Sequence, residues 1–126
     1  MLAGFAPRET TQTPKKYKSP MLQYHTVPVT AFQQNCSLVW CDQTMDAAVI
    51  DPGGDIEQIE WEVERLGLNL KAIWLTHAHI DHAGGTSELA AKHDLPIIGP
   101  HEGDQFWIDG LPQQGAMFGF PHSEPF

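Results

Sequence analysis

Three histidines and an aspartate fall within the six positions His77-Ala78-His79-Ile80-Asp81-His82, directly after the apolar run Leu70–Leu75 (LKAIWL). So many imidazole and carboxylate groups cannot be packed away without a partner for each, because an unpaired polar group costs free energy when buried. The preceding run reads as a strand buried on both faces. It delivers these side chains to its C-terminal end, where sites in α/β folds usually lie. His77 and His79 are two apart, so on extended backbone their rings fall on one side and can share a cation. Asp81 and His82 stand at the turn into a helix and reach a second position nearby. Imidazole and carboxylate together suit Zn²⁺, and also Fe or Mn. A lone histidine is ordinary, but four ligand-type residues in this span, followed by Gly84-Gly85, point to metal binding. The glycine pair permits close backbone approach where the turn enters the helix.

The rest of the chain alternates strand and helix signals. Leu22–Val29 reads as an edge strand, with Pro28 near its end. Cys36–Trp40 and Ala47–Ile50 are short β-type runs, joined by the polar stretch Cys41–Asp46, which suits a hairpin turn. Asp51-Pro52-Gly53-Gly54 stops the second run.

Asp55–Leu66 carries one helical apolar stripe, Ile56, Ile59, Val63 and Leu66. Asp55 and Gln58 are placed as a capping box, and Gly67 suits the C-terminal stop. Glu57, Glu60, Glu62 and Glu64 read as the wet side of this helix. A second helix is expected over Thr86–His93, then a short strand Pro96–Ile98 closed by Gly99-Pro100. His101–Phe126 shows no identifiable element. The pattern predicts an α/β fold, a mixed sheet covered by helices.

The formal net charge is −9 over 126 residues. Arg8, Lys15, Lys16 and Lys18 against Glu9 make residues 1–20 basic, so 21–126 is more acidic than the total. The Pro/Thr-rich segment 1–20 lacks periodicity and reads as a disordered tail. An acidic body argues against nucleic acid or an anionic membrane as partner, and no apolar run approaches the ~18 residues of a membrane span. Cys36 and Cys41 would face opposite sides of one strand, so they read as free thiols in a reducing compartment, the cytoplasm.

Leu75-Thr76-His77-x-His79-x-Asp81-His82 with Gly84-Gly85 resembles the signature of the metallo-β-lactamase fold superfamily. Asn35-Cys36-Ser37-Leu38-Val39, Val49-Ile50-Asp51-Pro52-Gly53-Gly54 and Gly99-Pro100-His101 are similar to the hydroxyacylglutathione hydrolase (glyoxalase II-like) branch. The resemblance covers residues 21–126. It implies an αββα sandwich of two halves, with His77 and His79 on a first metal and Asp81 and His82 on a second. It also implies that a metal-bound hydroxide, oriented by Asp81, attacks the acyl carbon of a small-molecule thioester such as S-acylglutathione. Asp51 reads either as the residue that holds a ligand histidine in one tautomer or as a turn-forming Asp before Pro-Gly.

The family pattern further implies a histidine from a downstream Gly-His-[Ser/Thr] segment, a bridging aspartate and a last histidine. His93, His101 and His122 stand in no such context. Residues 21–126 therefore read as the N-terminal half of the domain, with a sheet face left open for association. Two other readings follow: an iron-dependent persulfide dioxygenase-like oxidoreductase, and a non-catalytic metal-binding fragment.

Overall fold

A computed structural model describes residues 19–126. The basic segment read as a tail lies, but for its last two residues, outside the described residues. Strands β1 (Leu22–Val29), β2 (Gln34–Cys41) and β3 (Asp46–Ile50) are followed by helix α1 (Ile56–Leu66) and strand β4 (Asn69–Trp74). Helices α2 (Ile80–Ala83) and α3 (Thr86–His93) precede strand β5 (Ile97–Ile98). A 3₁₀ turn (Glu102–Asp104) and helices α4 (Gln105–Asp109) and α5 (Leu111–Phe118) come last.

The strands form one sheet in chain order. β1, β2 and β3 pair antiparallel, as short turns allow. β3, β4 and β5 pair parallel, with helical segments as the crossovers. One row of partners crosses all five strands: His25, Leu38, Val49, Ile73 and Ile97. Leu38, Val49 and Ile73 in that row are fully buried, so this face is the core side. Val27, Val29 and Cys36 extend it, and Ile56, Ile59, Leu89, Ile108 and Leu111 close over it from the helices. Both cysteines are free thiols, and burial pushes that of Cys36 up, so it stays protonated.

The opposite face carries the neighbouring row Ser37, Ile50, Trp74 and Ile98, with Tyr24 and Leu22 on β1. Leu22, Tyr24, Trp74 and Ile98 are exposed. The expectation that β4 is buried on both faces is therefore corrected. Ile73 is buried while Lys71 and Trp74 are exposed. The run looks uniformly apolar because the uncovered face is itself apolar.

Three further expectations change. Asp55 does not cap α1 with its side chain. Its Oδ2 instead accepts the Thr30 N–H at 2.7 Å, tying the β1–β2 turn to the start of the helix. Glu62 is not on the wet side: it is 8% exposed and sits between Arg65 (2.6 Å) and His25 (3.2 Å). These two partners compensate a carboxylate that the stripe periodicity alone places in water.

Finally, the segment His101–Phe126, read as having no identifiable element, is helical from Glu102 to Phe118 except at Gly110, and not beyond. Its signals are the proline in the first turn of α5 and Gly119, left-handed at its end. Both were masked by the high glycine and proline content. Elsewhere the boundaries agree closely. The Gly67 stop has the expected left-handed backbone, with Gly67 N–H donating to Glu64 O and Leu68 N–H to Val63 O.

Candidate metal centre

The motif occupies the loop between β4 and α2 and the first turn of α2. His79 is the residue before α2 and has extended backbone, while Asp81 and His82 lie in the helical turn. The sharp turn brings His77 and His82 together, with His79 against the His77 ring and Asp81 beside His82 at the margin of the cluster. The His77 and His79 rings lie 4.7 Å apart between centroids, and the His77 and His82 rings 4.0 Å apart. His82 Nε2 lies 3.6 Å from Asp81 Oδ2. Burial and the neighbouring His82 and His79 push the His77 pKa down, so its ring is uncharged at neutral pH. Donor atoms of Asp51, His77 and His82 all lie within 4.8 Å of one another.

Asp51 reaches this cluster from the end of β3. It is 5% exposed, with left-handed backbone at φ 57°. Its Oδ1 accepts the Thr76 N–H at 2.8 Å, and its Oδ2 accepts the Thr76 hydroxyl at 2.6 Å. Oδ2 also lies 3.0 Å from His82 Nδ1. An ionised carboxylate only accepts, so His82 Nδ1 carries the proton there and Nε2 is left with its lone pair. The same logic runs through Thr76. Its single hydroxyl proton goes to Asp51, so toward His77 Nδ1, 2.9 Å away, its oxygen accepts. His77 therefore also presents Nε2. One carboxylate thus sets the tautomer of two histidines, directly and through Thr76. Thr76 entered the sequence reading only as a residue of the motif, and nothing in the sequence spacing signals this relay.

The glycines explain why Asp51 lies so close. A Cβ on Gly53 would stand 1.9 Å from the Asp81 carbonyl oxygen, and one on Gly85 would stand 2.8 Å from that of Pro52. Gly85 N–H donates to that same Pro52 oxygen at 2.8 Å. The loop after β3 and the turn through α2 are thus in backbone contact.

Sequence reasoning missed a second layer on the other flank. Asp104 Oδ2 accepts the Ala78 N–H at 3.0 Å, and the Trp107 ring meets that of His79 edge-on at 4.7 Å. Phe32, Trp107, Gln114 and Phe118 join His79, Ile80 and Asp81 around a cleft of about 310 Å³ beside the motif. His93 pairs with Glu60 at 2.6 Å on the surface, and His101 accepts from Gly103 N–H. Neither joins the cluster, as expected from sequence.

A family model described as the metallo-beta-lactamase superfamily matches residues 29–125. The chain belongs to this superfamily. Among its relatives is hydroxyacylglutathione hydrolase GloC of Haemophilus influenzae, 47% identical over 79% of this chain and 47% of that protein. Another is the probable metallo-hydrolase YqgX of Bacillus subtilis, 32% identical over 75% of this chain and 44% of that protein. The solved structure of TTHA1623 in a di-iron-bound form matches with a TM-score of 0.69 at 31% identity, covering 81% of this chain and 50% of that one. The BLEG-1 B3 metallo-beta-lactamase matches with a TM-score of 0.68 at 27% identity, covering 81% of this chain and 49% of that one.

The mixed sheet with its helices is thus the metallo-beta-lactamase fold, over about half the length of the chains it matches. Among the described residues, no helix is long and apolar enough to cross a membrane.

Proposed function

We propose that the chain carries the metal-binding half of a metallohydrolase that cleaves thioesters such as S-acylglutathione, with zinc as the metal. The observation that carries this reading is the cluster at the β4–α2 loop, where two histidine Nε2 lone pairs are left free beside carboxylate oxygens. This donor set fits a borderline divalent ion. His77 and His79 would hold one ion, and Asp81 and His82 a second. A bound ion of this kind supplies an acidified water, its pKa lowered from about 16 toward ~7, and a Lewis acid for the acyl oxygen.

The chain's own residues do the rest. Asp51 and Thr76 keep His77 and His82 in the tautomer that offers Nε2. The Asp81 carboxylate holds a proton-accepting oxygen at the edge of the cleft. Phe32, Trp107 and Phe118 give an acyl group an apolar wall and exclude water from one side. The relatives' names support the substrate class, and those relatives are about twice as long. We include in this proposal association through the uncovered apolar sheet face.

Zinc-loaded protein is expected to remove S-lactoylglutathione thioester absorbance, to lose that activity on chelation and to regain it on adding metal. Protein that holds zinc but shows no metal-dependent loss of thioester sinks the reading. A neighbour solved in a di-iron-bound form is consistent with iron at this site, and so with one alternative, the persulfide dioxygenase-like oxidoreductase, without favouring it over the hydrolase. Oxygen uptake with a glutathione persulfide by the iron-loaded protein would replace the hydrolase reading with it.

A further inference from the structure

His77 and His82 are oriented by hydrogen bonds that lead back to Asp51. His79 is not: among the described residues, no side-chain hydrogen bond reaches its ring. Its placement comes instead from the segment after β5. Asp104, at the junction of the 3₁₀ turn and α4, accepts the N–H of Ala78 at 3.0 Å, across 26 residues of chain. Ala78 is fully buried and lies between the two histidines. Its N–H has no water to bond, so this acceptor fixes the peptide that sets where both rings start. One turn on, Trp107 meets His79 edge-on, with ring centroids 4.7 Å apart and an interplanar angle of 82°. His77 meets the same ring from another side, also at 4.7 Å.

The support is itself anchored. Asp104 N–H donates to His101 O at 2.9 Å, and Ile108 and Leu111, which follow Trp107 one and four residues on, are buried in the core.

We infer that Asp104 and Trp107 are positioning residues for the His77–His79 pair, Asp104 through the backbone between them and Trp107 through the His79 ring. The inference rests on the proposed metal centre, and one of its measurements does not. The first measurement is Co²⁺ binding by the full chain, followed by titration. Asp104→Ala and Trp107→Leu are expected to bind Co²⁺ roughly 10–100-fold more weakly, the usual effect of removing a group that orients a ligand. Asp104→Asn keeps a side-chain oxygen for the Ala78 N–H and is expected to bind nearly as wild type, as is Trp107→Phe, which keeps an aromatic edge.

The second measurement is made without metal, on ¹⁵N-histidine-labelled chain. The His79 ring signals should shift and broaden in Asp104→Ala and Trp107→Leu, and stay near wild type in the two conservative variants. Wild-type binding with unchanged His79 signals in both disruptive variants overturns the inference. An Asp104→Asn loss as large as that of Asp104→Ala also overturns it. If Asp104→Ala does not fold, Trp107→Leu against Trp107→Phe decides by the same readouts. Wild-type chain that binds no Co²⁺ sinks the metal centre, and the metal-free ring signals still decide the positioning roles.

Discussion

Gly53→Ala is expected to cost about 3 kcal/mol of folding stability, one of the largest effects of any single added methyl in this chain. The new Cβ would sit 1.9 Å from the Asp81 carbonyl oxygen and 2.7 Å from its carbon. Those are backbone atoms of the α2 turn, which cannot swing aside as a flexible side chain would. Gln34 Oε1, 3.2 Å away on the other side, closes the escape route. Overpacking of a well-fitted interior usually costs ~1–3 kcal/mol, and a contact this short belongs at or above the top of that range.

The strain falls where the loop carrying Asp51 meets the turn carrying Asp81 and His82, so metal affinity should fall with stability. Denaturant unfolding of the metal-free chain, compared with Gly67→Ala, checks it. Gly67 has a left-handed φ of 69° but nothing within 4 Å of an added Cβ. It therefore carries only the local backbone penalty of roughly 1 kcal/mol. Equal losses in the two variants would refute the packing argument.

How much of this was legible in the sequence depends on whether an interaction is local. The motif, strands β1 to β3, the Gly67 stop and the Thr86–His93 helix all follow from spacing and turn chemistry within a few residues. Asp51 was legible as one of two readings, and the structure shows its carboxylate bonded to Thr76 and His82. What was not legible is set by distant partners. Glu62 looks solvated because its stripe position faces outward, yet Arg65 and His25 compensate it in a buried place. Asp55 looks like a helix cap until the Thr30 N–H, 25 residues away, takes its side chain. Trp74 and Lys71 show that an apolar run need not be covered on both faces. Asp104 and Trp107 carry no spacing signal at all, because their partners lie across β5 and the glycine-proline turn.

Asp51→Asn is expected to leave the fold nearly intact and to weaken metal binding about 100-fold. The substitution keeps the size and shape of the side chain. An oxygen remains to accept the Thr76 N–H, which donates to Asp51 Oδ1 at 2.8 Å. The other position becomes an NH₂ group, which only donates. Facing His82 Nδ1, now 3.0 Å from Asp51 Oδ2, that group needs an acceptor. The ring responds by moving its proton to Nε2, the atom proposed to meet the ion.

The Thr76 hydroxyl loses its acceptor in the same change. It is then free to donate to His77 Nδ1, which drives that ring to the same unproductive tautomer. Two ligands are therefore misprotonated by one isosteric substitution. The same logic makes an Asp-to-Asn change severe in catalytic triads, where geometry survives and the tautomer does not. Thermal unfolding within a few degrees of wild type, with Zn²⁺ affinity down by two orders of magnitude, is the expected pair of results. Unchanged affinity would mean that Asp51 is a turn residue and that the histidine tautomers are set elsewhere.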